Sequence, residues 1–135
     1  MINFKSWNTI PKEFIGNCIV ENKDSFSRFW LKQGKILHRE NGPAMIYDHC
    51  DNNNSNHQWW INGERHRLDG PAVVSASQHI LCEWWVEGMR HRLDGPAHIS
   101  SFEEKYYINN VQYSIEDYMK HPLTIKFTMN SILDQ

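Results

Sequence analysis

A chain of 135 residues and 16.1 kDa accommodates one domain of ordinary size. Its 14 basic against 16 acidic residues leave a formal charge of −2, which removes the bulk positive field of a general nucleic-acid binder. With 40% hydrophobic residues and a mean hydropathy of −0.66 a thick apolar core is not expected, and the apolar content sits instead in 6 Trp, 5 Tyr and 6 Phe.

Met1 to Asn8 lacks the apolar run of a secretory signal, and no segment approaches the ~20 apolar residues of a membrane span. Three cysteines, Cys18, Cys50 and Cys82, leave one over after any pairing, so a reducing, cytoplasmic setting is expected (the host cytoplasm for a phage protein). From Ile10 onward the chain is a tandem repeat. A half copy covers about 10–21, full copies about 29–47, 58–76 and 83–100, a degenerate copy 105–120 and a tail 121–135, all in a single repeat domain, 1–135.

In the first full copy Phe29-Trp30 and Gly34 lead into His38-Arg39-Glu40-Asn41-Gly42-Pro43-Ala44, and Asp48 to Asn56 reads as a polar loop extension. The next copies run from Trp59-Trp60-Ile61-Asn62-Gly63 and Trp84-Trp85-Val86-Glu87-Gly88 into an identical heptapeptide, His-Arg-Leu-Asp-Gly-Pro-Ala, with His66 and His91 25 residues apart. Aromatic and β-branched runs at Gln58 to Ile61 and Cys82 to Val86 end at turn signals and read as strands. Second runs, Ala72 to Ala76 and Ala97 to Ser100, follow Gly-Pro, whose fixed geometry suits a strand entry. Identical heptapeptides imply equivalent surroundings, whereas an odd number of strands per copy would send them to alternating edges. Two strands per copy are therefore expected, joined by one wide connection, with equivalent positions roughly 10 Å apart.

The fold class is mainly β: tandem antiparallel β-hairpin repeats forming a twisted open sheet, with a short C-terminal helix and an extended tail. Trp59 and Trp84 are expected on one face and Trp60 and Trp85 on the other, as stacked ring ladders. The fourth copy, Tyr106-Tyr107-Ile108-Asn109-Asn110, replaces His-Arg with Tyr113-Ser114. Ser114 to Asp117 is a capping box that opens the helix, and His121-Pro122 ends it. Leu123, Ile125, Phe127 and Met129 then alternate with polar residues, a period of two that predicts an extended arm; a second helix there is the weaker reading.

The Trp-x-x-Asn-Gly-x-x-His-Arg-x-Asp-Gly-Pro-Ala unit resembles a group of short-repeat proteins of tailed phages and large viruses, over most of the chain from Ile10 to Tyr118. It is more loosely similar to membrane-occupation-and-recognition-nexus repeats. The resemblance implies stacked β-hairpins and an interaction role, and it transfers no catalytic residues.

Candidate binding residues are Trp60, Trp85 and Tyr107 on an aromatic face, with His66, Arg67, Asp69, His91, Arg92 and Asp94 along a rim. One reading makes the rim structural: Arg bonds nearby carbonyls or the Asp two positions on, and Asp closes a turn before Gly. The other makes it a row of cationic forks beside rings that hold an anion or an acidic surface. No metal or cofactor is expected. Motif histidines ~10 Å apart cannot share an ion, and His79-x-x-Cys82 has no second pair. No enzyme is expected either, because no Gly-x-Ser-x-Gly surrounds a serine such as Ser75, and Cys82 reads as a small buried hydrophobe. The leading expectation is a non-catalytic protein-binding repeat module, with inhibition of a host defence protein by a phage as its context and self-association as an extension. The alternatives are a sponge for a small anionic ligand such as a signalling nucleotide, and a structural component of a virion.

Overall fold

The structure, a computed structural model, describes residues 1–22, 24–49 and 54–135; Cys50 lies outside them. The chain forms strands β1 (Ile2–Phe4), β2 (Gly16–Asn22), β3 (Ser25–Lys32), β4 (Ile36–Leu37), β5 (Met45–His49), β6 (Ser55–Gln58), β7 (Trp60–Ile61) and β8 (Glu64–Arg65). It continues through β9 (Val73–Ala76), β10 (Leu81–Glu83), β11 (Trp85–Val86), β12 (Met89–Arg90), β13 (His98–Ser100), β14 (Glu104–Ile108) and β15 (Val111–Tyr113) into helices α1 (Ile115–Lys120) and α2 (Pro122–Leu133).

A large twisted open sheet has the order β1-β2-β3-β5-β6-β9-β10-β13-β14-β15, with β4 paired to the end of β3. Its pairings are antiparallel except for β1, which lies parallel to β2. The full copies place β3 and β5, β6 and β9, and β10 and β13 in this sheet, two strands each, as the parity of the heptapeptides requires. The expected wide connection is not a plain loop, however. It contains a second hairpin, β7–β8 in one copy and β11–β12 in the next.

The first Trp of each copy is where the two pairings diverge. Trp59 N–H donates to the Ala72 carbonyl at 2.8 Å, while the Trp59 carbonyl accepts from His66 N–H at 3.1 Å. Residues 67–71 are thereby looped out between a main-sheet pairing and a hairpin pairing. Trp84 repeats the arrangement with Ala97 and His91, and Trp30 with Ala44 and His38. The structural register of the first copy is therefore Trp30-Leu31, one residue later than the Phe29-Trp30 pair suggests. The extra residue is absorbed in its turn, where Gly34 and Lys35 take φ of 81° and 61°.

The other hairpin tips pair two left-handed residues, Asn62-Gly63, Glu87-Gly88 and Asn109-Asn110, with φ between 48° and 82°. This is the geometry a two-residue β-turn needs for its twist to match that of the strands. The tips also join copy to copy: Gly63 N–H donates to the Leu37 carbonyl, Gly88 N–H to Arg65 and Asn110 N–H to Arg90. Gly34 N–H donates in the same way to Lys12, so the half copy occupies the corresponding place before the first full copy.

Among the described residues a conventional core lies in the N-terminal half, where Ile10, Cys18, Val20, Phe29 and Leu31 are buried with Phe4, Phe14, Leu37 and Met45 against them. The polar extension is shorter than the sequence suggests, since Asp48 pairs with Ser55 and Tyr47 with Asn56 in the β5–β6 ladder. The extended tail is replaced by a helix. Ser114 caps α1 through Asp117 N–H and α1 stops at Lys120, but His121 then caps α2 by accepting from Leu123 N–H, and Pro122 sits in its first turn. Proline ends one helix and begins another because the first turn needs no N–H from it.

Candidate functional site

The heptapeptide closes its own turn and joins it to the following copy. The motif histidine accepts, at Nδ1, the backbone N–H of the left-handed turn residue in the following copy: His38 from Asn62, His66 from Glu87 and His91 from Asn109, at 3.0–3.1 Å. This bond requires a ring that is unprotonated at Nδ1. It also secures Glu87 in a conformation unusual for a glutamate.

The motif arginine lies flat on the first Trp of its own copy, with Arg39, Arg67 and Arg92 at 3.8, 4.0 and 3.9 Å from the ring centroids of Trp30, Trp59 and Trp84. One terminal nitrogen donates to the carbonyl of Pro43, Pro71 or Pro96 at 3.1 Å, which closes the looped-out segment. In the second and third copies Nε donates to Asp69 or Asp94. The hydrogen bond and charge of Arg67 hold the Asp69 carboxyl below the ordinary carboxylate range. Asp69 is nevertheless exposed, so that pair contributes little to stability. Ala44, Ala72 and Ala97 are fully buried beneath the turns.

The second aromatic series has different partners. Arg65 lies 5.1 Å from both Trp60 and Trp85, and Arg90 lies 4.9 Å from Trp85 and 5.4 Å from Tyr107. The expected ring-on-ring ladder is thus a ladder of rings with guanidinium groups between them. Repeats ~10 Å apart are too distant for rings to touch, and an interposed cation halves the step. Sequence reading missed Arg65 and Arg90, although their position directly before His66 and His91 was a visible signal. It also missed Glu83, which is buried and accepts from Arg90 at 2.7 Å, His98 at 3.0 Å and Trp85 Nε1 at 3.2 Å. Burial alone would raise the Glu83 carboxyl; these bonds outweigh it and hold it low.

Between successive turns the surface opens into clefts. Cleft 1, of about 790 Å³, is lined by Arg39, Glu40, Trp59, Ile61, His66 and Leu68. Cleft 2, of about 480 Å³, is lined by the equivalent Arg67, Trp84, Val86, His91 and Leu93, and Phe127 of α2 borders it. Leu68 is 80% exposed at cleft 1, whereas Leu93 is half-buried. The structure thus brings Arg67 and Asp69, and Arg92 and Asp94, to the clefts. Trp60, Trp85 and Tyr107 stand apart from them in the second ladder.

Helix α2 has an unusual polarity. Thr124, Phe127, Thr128 and Ser131 face a cleft shared with Leu93, Tyr106 and Tyr118. Ile125, Met129 and Ile132, spaced four and three residues apart, look outward at 44%, 61% and 66% exposure. Mostly small polar residues face the body, with Phe127 still 40% exposed among them, and the aliphatic stripe faces solvent.

Other chemistry finds little support in side-chain geometry. Among the described residues no three His, Cys, Asp or Glu side chains come together as a metal site. Burial pushes the Cys18 and Cys82 thiols up, away from the thiolate form a nucleophile needs. His79 packs on Phe102, at 4.6 Å between ring centroids. Among the described residues no helix is long and apolar enough to cross a membrane.

Burial also pushes the His91 imidazole below its ordinary value of 6.5. The unfolded chain then takes up a proton that the folded ring resists, so stability is expected to fall as pH drops from about 6.5 through the lowered folded value. An NMR titration of the His91 ring checks this, and a His91→Asn variant should lose that part of the pH slope. No protein-family model, no curated protein and no solved structure matches the chain.

Proposed function

We propose that the protein is a non-catalytic repeat module that binds another protein. One observation carries this reading: the aliphatic stripe of α2 is turned away from the body of its own chain. A helix beside a domain normally buries that stripe, and a contiguous exposed one marks an interaction surface. The likeness of the repeat unit to phage proteins makes a host protein the natural partner, and inhibition of a defence component a natural outcome.

The sponge for an anionic nucleotide is the weaker reading. Arg67 and Arg92 already direct Nε and one terminal nitrogen to Asp and Pro within their own turns, and His66 and His91 accept turn N–H groups. Affinity capture from host lysate tests the proposal. One stoichiometric protein is expected with the wild type, lost with Met129→Glu/Ile132→Glu. Capture unaffected by that double variant, or a co-purifying nucleotide with no protein, overturns it.

A further inference from the structure

We infer that cleft 1 holds a carboxylate of a partner protein on the open edge of Arg39, a place that the chain's own aspartates fill in the later copies. The inference adds a second contact to the reading of the protein as a binding module, and it stands on residues apart from α2.

The three copies hold their motif arginine alike and complete it differently. Arg39 is stacked on Trp30 at 3.8 Å, and its Nη1 donates to the Pro43 carbonyl at 3.1 Å. Gly42 lies so close that a Cβ there would come within 2.9 Å of Cζ. Arg67 and Arg92 share these contacts and add one more, from Nε to Asp69 at 2.9 Å and to Asp94 at 2.8 Å. In the first copy that place belongs to the exposed Asn41. Among the described residues the Arg39 guanidinium bonds to Pro43 alone and joins no ion pair. Its Nε and remaining terminal nitrogen thus form a planar fork that is fixed in place and lacks an acceptor.

The acids nearby are engaged elsewhere. Asp69 takes Arg67, and Glu40 lies 3.9 Å from His38 Nε2. Positive and negative groups balance over the cleft as a whole, so the geometry of the fork, and not a net field, selects the ligand. Two parallel N–H donors match the two oxygens of a carboxylate. Asp69 and Asp94 are the chain's own examples of that occupant on the equivalent arginines. Trp59, Ile61 and Leu68 line the same cleft of about 790 Å³, and Leu68 is 80% exposed. An acidic residue with an apolar neighbour, carried on a segment of protein, meets both the fork and this lining. A desolvated arginine beside an aromatic ring is also where binding energy concentrates at interfaces.

Exchanging the two side chains tests this without disturbing the arginine stack. Acetate is titrated into the full chain at neutral pH, against chloride at equal ionic strength, while nitrogen–proton NMR follows the arginine Nε–H groups. The Arg39 signal is expected to shift saturably with acetate, and those of Arg67 and Arg92 to stay in place. Asn41→Asp should abolish the Arg39 response by supplying an internal carboxylate, and Asp69→Asn should create the response at Arg67. An unresponsive Arg39, an equal response at all three arginines, or no effect of either exchange overturns the inference. Inorganic phosphate binding at least about tenfold more tightly than acetate would assign the fork to a phosphate group and also overturn it. In capture from host lysate, Asn41→Asp should lower recovery of the partner by at least about fivefold. Capture that depends on Met129 and Ile132 but not on Asn41 leaves the α2 reading standing and this inference wrong. If the wild type captures no protein, the binding-module reading fails, and an Arg39 that still answers acetate then belongs to a free carboxylate.

Discussion

Alanine at Gly70 is expected to destabilise the protein by about 1–3 kcal/mol, and to do so only while Arg67 is present. A Cβ built on Gly70 would lie 3.0 Å from Arg67 Cζ and 3.2 Å from two of its guanidinium nitrogens. Gly42 and Gly95 meet Arg39 and Arg92 in the same way, but their positive φ would add backbone strain, so Gly70 isolates the steric term. The guanidinium cannot retreat, because Trp59 lies 4.0 Å behind it and the Pro71 carbonyl holds one of its nitrogens.

Arg67→Ala removes the stacking and leaves that carbonyl without its donor, at about 2–4 kcal/mol. Arg67→Lys should recover little, because an ammonium can neither lie flat on the indole nor reach Pro71 and Asp69 together. In the Arg67→Ala background Gly70→Ala should cost less than about 0.5 kcal/mol, a strong departure from additivity. Urea denaturation of the two single variants and the double variant measures the cycle. Equal cost of Gly70→Ala in both backgrounds would mean that glycine is required there for a reason other than the arginine. Asp69→Ala should change stability far less than either, since its carboxylate is exposed.

The same geometry explains which features were legible in the sequence. The heptapeptide announced equivalent environments, and parity then led to two strands per copy in the main sheet. The structural role of the arginine was also readable from its spacing to Asp and Pro. The second hairpin was not, because β7 and β8 have two residues each, and the divergence at Trp59 arises from backbone bonds on two sides that no local pattern encodes. The histidine contact was hidden for a related reason: its partner lies 21 residues further on, in a turn that belongs to the next copy.

Helix α2 was missed for a more instructive reason. Leu123, Ile125, Phe127 and Met129 alternate as in a strand, and the rule behind that reading assumes that apolar residues mark a single buried face. Here they mark two faces. Phe127 turns inward with Thr124, Thr128 and Ser131, while Ile125, Met129 and Ile132 turn outward. A helix that seats only Thr124 firmly on its own chain and carries apolar residues around much of its surface has no clean period of 3.6 residues. Its detectable signals were terminal, His121 as cap and Pro122 in the first turn. Period reading fails here because the burial that would set a single apolar face is largely absent from this helix.

Tyr118→Ala is expected to be the most damaging single change near the C-terminus, at about 3–5 kcal/mol. Tyr118 is 1% exposed and packs against Tyr106 at 4.8 Å between ring centroids. Its hydroxyl lies 2.8 Å and 3.0 Å from the carbonyls of Arg92 and Gly95, and accepts from Gly95 N–H at 3.1 Å. One side chain thus ties α1 to the last complete heptapeptide turn. Tyr118→Phe keeps the ring but leaves buried backbone groups unpaired, at about 1–3 kcal/mol. Burial raises the Tyr118 hydroxyl above the ordinary tyrosine value of 10.0. The folded state therefore retains a proton that the unfolded chain releases, so this contribution is complete below about pH 10 and is lost as pH rises through the raised folded value. Thermal melts of wild type and Tyr118→Phe between neutral and strongly alkaline pH separate the two effects. The variant should melt lower at neutral pH and lose less on alkalisation, and parallel curves would show that the hydroxyl is not held as described. Because Phe127 and Leu93 border the same cleft as Tyr118, loosening this contact should also loosen the seat of α2. Tyr118→Ala should accordingly weaken capture of a partner protein through α2 at temperatures where the variant is still folded, which joins the stability of the last turn to the presentation of the outward face.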